Sequence, residues 1–324
     1  MSAETISVVV CTHTEERWSD LSACLESLRR QVITPGQIVV VVDHNPALLT
    51  RVRAHWDDIL AIENENAACL SGARNTGLAA ARHGVVAFLD DDATAAPDWV
   101  ERLVETYADP AVLAVGGAIE PSWPGGTPPA WFPNEFDWVV GCTYRGMPKE
   151  MTEVRNLIGA NMSFRREILA SVEGFRESLG RVGMYPAGCE ETEFCVRLHD
   201  RWPDGKILHN PAARVTHRVS PDRATFRYFL ARCIGEGSSK ALLRRLVGAR
   251  RALESERRYT LRTLPRGVAR GFADALVHGD GGGILRAAAI IVGLGATTAA
   301  YAAGHLSGTH QRSRVDRLAR DALR

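Results

Sequence analysis

The run Val85-Val86-Ala87-Phe88-Leu89-Asp90-Asp91-Asp92 constrains this chain more than any other segment. Five apolar residues lead directly into three carboxylates. The apolar part predicts a buried strand of the parallel kind, whose two faces are both covered. Three acids at its end repel one another unless something positive compensates them. The carboxyl edge of an open parallel sheet is where α/β proteins bind ligands. The run therefore predicts a hard divalent cation, Mn2+ or Mg2+, held by oxygen ligands beside a phosphorylated ligand. The bland alternative is an acidic turn in which Asp92 caps a helix; three acids in a row on a buried strand weigh against it.

Around this run the first hundred residues alternate strand and helix. Ile6 to Cys11 reads as a buried strand, and Trp18 to Gln31 as a helix with Leu21, Cys24, Leu25 and Leu28 on one face. Gln37 to Val42 is a second apolar strand ending at Asp43. A helix is expected over Arg51 to Asp58, a short strand at Leu60-Ala61-Ile62 and an Ala-rich helix over Ser71 to His83. This β-α-β-α order implies an α/β, doubly wound, mostly parallel sheet. The glycine spacing matches neither GxGxxG nor a P-loop. A metal bridging phosphate oxygens, supplied by the acids, does the same work.

The middle of the chain changes character. Residues 121 to 149 carry six prolines together with Trp123, Trp131 and Trp138, which reads as a long irregular loop with aromatic anchors. The tryptophans either present flat apolar faces to a ligand or pack in a core. Gly159 to Phe164 reads as a strand with a helix from Arg166, and helices are expected over Glu191 to Arg201 and from Thr225 on. From Lys240 to Phe272 ten Lys and Arg face two acids, Glu254 and Glu256, and Ala287 to Gly304 holds no charged residue. Eighteen uncharged residues reach the lower limit of a membrane span. The stretch is rich in Ala, Gly and Thr, which insert weakly. A buried helical hairpin, or an interfacial helix beside a basic patch, is the better reading; a solvated basic face packed on the catalytic domain is the alternative.

Composition bounds the rest. A net charge of +1 gives no global electrostatic case for nucleic acid. The seven cysteines are odd in number and contain no CxxC pair. That argues against a disulfide framework or a zinc site and fits a reducing cytoplasm. The N-terminus lacks a basic segment followed by an apolar stretch, so a signal peptide is not expected.

Several motifs then carry a resemblance. Ser7-Val8-Val9-Val10-Cys11-Thr12-His13 and Val41-Val42-Asp43 resemble the first strands of family 2 glycosyltransferases. Ala73-Arg74-Asn75-Thr76-Gly77-Leu78, followed by Phe88 to Asp92, is similar to the nucleotide-sugar half of that family. Gly159 to Arg166 resembles its acceptor-side strand. Cys189-Glu190-Glu191-Thr192-Glu193-Phe194-Cys195 resembles its catalytic-base segment, and Val215-Thr216-His217 the strand after it. Five motifs in order cover roughly residues 5 to 240.

The resemblance implies a GT-A fold, a nucleoside-diphosphate sugar donor with UDP-sugars favoured, a divalent metal and inversion at the anomeric carbon. Thr12, His13 and Asp43 would hold base and ribose. Arg74 would contact base or phosphate. Asp90 and Asp91 would touch the donor, and Asp92 with His217 would reach the metal. Asn161, Trp123 and Trp131 would lie on the acceptor side. The acceptor would be a glycan, a lipid-linked molecule or a small molecule. It covers a catalytic domain over 1–240, with a nucleotide-sugar half to about 118 and an acceptor half over 119–240. The tail lies outside the resemblance. Its composition makes 241–324 a basic, apolar helical extension, for which peripheral membrane contact through 241–306 at the inner face is one expectation.

The chemistry agrees with this assignment. Sugar transfer leaves a diphosphate whose developing charge must be stabilised. The attacking hydroxyl needs a base on the opposite face. Glu191 matches the base position, where the family more often has Asp; Glu190 is the rival, and both could simply favour a helix N-terminus. Two other classes are weighed. A sugar nucleotidyltransferase would show a Gly-rich basic loop where this chain has Thr12-His13-Thr14-Glu15-Glu16. A non-catalytic nucleotide-sugar-binding protein would have no use for the intact acids.

Overall fold

The computed structural model describes residues 6–179, 188–248 and 254–306. The described residues form two compact units. One comprises those within Met1–Glu120, Pro148–Val182 and Glu190–Arg218; the other, those within Pro121–Met147, Gly183–Cys189 and Val219–Arg324.

The first unit is built on β1 (Ile6–Thr12), β2 (Gln37–Val42), β3 (Leu60–Glu63) and β4 (Val85–Asp90). β1 pairs in parallel with both β2 and β4, and β2 with β3. The Val- and Ile-rich runs are buried on both faces, which is why they read as strands without alternation. Helices α1 (Trp18–Arg29), α2 (Pro46–His55) and α3 (Leu70–Ala80) connect them. Helix α2 begins five residues before the expected Arg51, because Asn45 accepts a hydrogen bond from Leu48 N (3.1 Å) and Pro46 occupies the first turn. Gly77 of α3 lies so close to β1 that a Cβ there would stand 2.3 Å from Val9 Cγ1. Only glycine allows the helix this approach.

Beyond β4 the sheet changes direction. Its order is β3-β2-β1-β4-β8-β6-β9-β5, with β7 (Thr152–Glu153) on β9. Strand β8 (Asn161–Arg165) runs antiparallel to β4 and to β6 (Val112–Ser122). The long β9 (Lys206–Arg218) is antiparallel to the short β5 (Ala93–Ala95). The N-terminal half of the sheet is thus the expected parallel array and the second half is mixed. Helix α4 (Trp99–Thr106) follows β5, and α5 (Arg166–Ser171) follows β8. Helix α6 (Glu190–Arg201) is fastened by Phe194, which packs on Phe164 and Phe175 at ring-centroid distances of 5.1 and 4.7 Å. Phe175 packs in turn on Phe88 of β4 at 5.4 Å. This aromatic stack ties α6 to the strand that ends in the three acids.

The second unit is helical: α7 (Phe226–Val247), α8 (Glu254–Arg258) running on through a π turn at Tyr259–Thr263, α9 (Leu264–Val277) and α10 (Gly282–Leu306). It takes in Pro121–Met147, and the boundary expected at 240 falls inside α7. The expected irregular loop contains 3-10 turns at Pro124–Gly126 and Asn134–Val140. Trp131 packs against Phe132, Phe226 and Phe229 at 5.2 to 5.6 Å, and Trp123 against Phe132 at 4.7 Å. Trp138 donates to Tyr259 Oη at 3.0 Å. All three tryptophans therefore anchor this unit.

The same loop buries two carboxyls. Glu135 receives Arg270 at 2.5 Å. Asp137 is 6% exposed. Burial, then the charge of Glu135, push the Asp137 carboxyl up to about 8, against the pull of Arg145. An acid whose folded pKa lies above its unfolded value contributes stability that is present below the unfolded value, 3.8, and lost as pH rises toward about 8. Asp137→Asn is therefore expected to raise Tm relative to wild type, with a gain that grows as thermal melts are recorded at increasing pH between those limits. A gain independent of pH would refute the assignment.

Candidate active site

The site begins where β4 ends. In register, Cys11 of β1 lies beside Asp90, and Asp91 and Asp92 form the turn into β5. β5 pairs Ala93 with His217 of β9, which brings the His next to Asp92 across 125 residues of chain. His217 Nε2 stands 2.9 Å from Asp92 Oδ1, and Arg218 N donates to Asp92 O at 2.8 Å. One ligand atom from each of Asp90, Asp92 and His217 falls within 4.8 Å of the others. Asp91 and Asp92 are buried, whereas the Asp90 side chain keeps 31% of its surface exposed.

Two arginines compensate the acids. Arg17, at the end of the 3-10 turn Glu15–Arg17, places NH1 2.8 Å from Asp91 Oδ1 and 3.3 Å from Asp92 Oδ2. Burial raises the Asp91 carboxyl above its ordinary range even against this charge, and the charge of Asp92 adds to the rise. The buried Thr12 hydroxyl lies against the Asp91 carboxyl and opposes that rise. Arg74 of α3, 2% exposed, reaches the other way. It donates to Glu190 Oε1 at 3.0 Å and to Gly159 O at 3.3 Å, and lies 3.6 Å from Asp90 Oδ1. It thereby joins the acid run to the first turn of α6.

That first turn carries both candidate bases. Glu190 is 5% exposed and committed to Arg74, with its Oε2 unpartnered. Glu191 is half-buried. Desolvation, then the charge of Glu190, raise its carboxyl to about 8, opposed by Arg74. Glu193, one turn on, accepts from Arg197 and Arg176 at 2.9 and 2.7 Å and is structural.

At the carboxyl ends of β1 and β2, Asp43 accepts from Asn64 Nδ2 at 2.6 Å and pairs with His44 at 2.8 Å. His13 is exposed, and its carbonyl accepts from Asn45 Nδ2 at 3.1 Å. Asn161 spends its amide inside the sheet: Nδ2 donates to Ala118 O and Ala213 O, and Oδ1 accepts from Trp99 Nε1. Trp123 and Trp131 belong to the aromatic cluster of the helical unit. Reading the sequence alone missed Arg17 and Asn64. A basic residue in the loop after the first strand and a polar residue directly after the third were the only signals for them.

A parallel nucleotide-type sheet, an acid-x-acid turn at its carboxyl edge and an acidic helix start facing it through an arginine describe a GT-A glycosyltransferase. The chain matches the Glycosyl transferase family 2 model over residues 7–172 and belongs to that family. It is 37% identical over 242 residues to a glucosyl-dolichyl phosphate glucuronosyltransferase of Haloferax volcanii, covering 74% of this chain and 77% of that protein. It is 29% identical over 249 residues to the succinoglycan biosynthesis protein ExoM of Rhizobium meliloti, covering 74% of each. Among solved structures it resembles a mannosyltransferase of Pyrobaculum calidifontis in complex with GDP-Man and Mn2+, with TM-score 0.60 at 17% identity over 92% of this chain and 88% of that one. GalNAc-T7 with UDP, GalNAc and Mn2+ gives TM-score 0.52 at 18% identity over 74% and 51%. The protein is a glycosyltransferase; the nucleotidyltransferase and non-catalytic alternatives give way to the family.

Arg74 and Glu190 form a buried ion pair, so removing one partner leaves the other charge uncompensated, at a typical cost of about 3–5 kcal/mol. Arg74→Met is expected to lower stability in urea unfolding by that order, and Arg74→Met/Glu190→Gln to recover a large part of it. No recovery in the double variant would show that the pair does not account for the loss.

Proposed function

We propose that this protein is an inverting, metal-dependent hexosyltransferase that moves a sugar from a nucleoside-diphosphate sugar, UDP-linked by preference, to a hydroxyl of a lipid-linked acceptor. The observation that carries the reading is the convergence of Asp90, Asp92 and His217 within 4.8 Å. The donor set is oxygen and nitrogen, which suits Mn2+ or Mg2+. The buried acids and the arginine already drawn to them mark a place that calls for positive charge. Asp92 and His217, with Asp90 beside them, would hold the ion, and it would stabilise the charge developing on the departing diphosphate.

The chain's own residues do the rest. Thr12, His13 and Asp43 stand at the strand ends where base and ribose would lie, with Asn64 holding the Asp43 carboxylate in place. Asp91, held by Arg17, gives the donor side a fixed negative wall. Arg74 occupies Glu190 in an ion pair, which leaves Glu191 to take the proton from the acceptor hydroxyl as the anomeric carbon is attacked. The relative that acts on glucosyl-dolichyl phosphate supports a lipid-linked acceptor. Asn161, Trp123 and Trp131 would contribute to acceptor binding only through surfaces that their own packing leaves open. The odd number of cysteines and the lack of a CxxC pair favour a reducing, cytoplasmic setting.

A panel of nucleotide sugars read by thermal shift with Mn2+ identifies the donor, because ligand bound to the native state raises Tm by mass action. Asp92→Asn is expected to lose both transfer and the Mn2+-dependent part of that shift; turnover indifferent to chelator and to this change would sink the metal role. Glu191→Gln should abolish transfer while leaving the donor-induced shift intact. Since a base must be ionised to accept a proton, wild-type kcat/KM should rise with pH and level off near the Glu191 value, about 8. If Glu190→Gln has these effects and Glu191→Gln does not, the base is Glu190.

A further inference from the structure

Helices α9 and α10 form a hairpin whose inner face is made of small residues. A Cβ on Gly271 of α9 would stand 2.5 Å from Gly283 O, and one on Gly293 of α10 would meet Phe136 and Phe229 at 2.7 and 2.9 Å. The apex is pinned by Arg286, which reaches Asp274 at 2.9 Å and Asp280 at 2.7 Å. The inner side of the hairpin is therefore a packed protein interior.

The outer side is different. On α10 the exposed positions recur every three or four residues from Ile284 to Leu306, and among them only Thr298 and His305 are polar; the rest are aliphatic, Ala or Gly. On α9 and the π turn before it the exposed stripe runs Arg262, Arg266, Ala269, Phe272, Leu276, with Leu276 84% and the neighbouring Val277 75% exposed. Ile291 of α10 is 58% exposed. Large apolar side chains so far into solvent on one continuous face are unusual for a soluble protein, which exposes such patches where something covers them. The charge on the page names the cover. The exposed arginines Arg257, Arg258, Arg262 and Arg266 lie at the end of the stripe away from the apex, and no exposed acid interrupts the stripe on either helix short of the apex turn. Basic at one end and apolar along the rest is the pattern that matches anionic headgroups over acyl chains.

We propose that the exposed face of the α9–α10 hairpin docks on an anionic lipid bilayer. The apolar residues enter the boundary between headgroups and acyl chains, and Arg262 and Arg266 lie among the headgroup phosphates. Helix α10, with a mean hydropathy of 1.6 over its best window, has the length to span a membrane. Its other face is committed to protein, however: Gly237 of α7 would clash with Thr297 O at 2.2 Å if it bore a Cβ, and Arg244 donates to Tyr301 Oη at 2.8 Å. A helix held in this way lies on the bilayer. The inference is independent of the donor, metal and base assigned above.

The test is sedimentation of the full chain with phosphatidylcholine vesicles with and without phosphatidylglycerol. The wild type is expected to pellet with the anionic vesicles and much less with the neutral ones. Leu276→Glu/Ile291→Glu alters two exposed side chains, so circular dichroism should be unchanged, while the partition coefficient falls about tenfold or more. Arg262→Gln/Arg266→Gln should lower partition about fivefold per arginine at low salt and flatten its salt dependence. Four results would overturn the proposal: no pelleting of the wild type, equal pelleting of the glutamate variant, attachment that resists alkaline carbonate as a spanning helix does, or a wild-type dimer in vesicle-free solution that the glutamate variant turns into a monomer.

Discussion

Three carboxylates at the end of a buried strand are electrostatically untenable by themselves, and much of the first unit is arranged around that fact. In a medium of lowered dielectric, like charges a few ångströms apart cost far more than they do in water. The chain answers with Arg17 on one side, Arg74 on the other and His217 across the sheet. Each comes from a different connection, and each is held by its own packing. The turn Glu15–Arg17 opens directly into α1, the Ala-rich α3 lies against β1 and β2 at Gly77, and β9 is fixed to β5 in register.

Arg74 has the widest reach of the three. Its guanidinium touches Asp90, the carbonyl of Gly159 and the carboxylate of Glu190. One cation thus ties the acid run at the end of β4 to the first turn of α6. It also separates two adjacent glutamates that are chemically the same residue. Glu190 is spent on the ion pair, and Glu191 is left half-buried with a raised pKa beside it. Environment, not residue type, divides their roles.

Much of this was legible beforehand. Strands β1, β2 and β4 announced themselves as apolar runs, β2 and β4 bounded by Asp43 and Asp90, because a strand covered on both faces has few polar positions to confuse the pattern. The position of Glu190 and Glu191 at a helix start was readable from the same logic that favours acids at a positive helix end. The offset in α2 came from weighting the apolar periodicity above the Asn45-Pro46 start signal, which is the stronger local determinant. Strand β6 and helix α4 went unread, and β9 was foreseen only at Val215-Thr216-His217, since their patterns are short or mixed where the sheet turns antiparallel. The three tryptophans could have lined a groove or filled a core; the side of Trp131 that meets Phe226 and Phe229 is visible only when residues 95 and 98 positions apart come together.

By itself, the sequence determined the class of fold, the strand whose carboxyl end bears the acids, and the pair of glutamates that opens a helix about a hundred residues later. Those follow from local periodicity and from the chemistry of single residues. Only the tertiary structure decided which side chain meets which carboxylate: Arg17 with Asp91 and Asp92, Arg74 with Glu190, His217 with Asp92. Such pairings depend on through-space distance and on the exclusion of water, and neither is written into the spacing of residues along the chain. The same is true of the hairpin α9–α10. Its composition is apolar throughout, and folding alone settled which apolar residues face the protein and which were left outside.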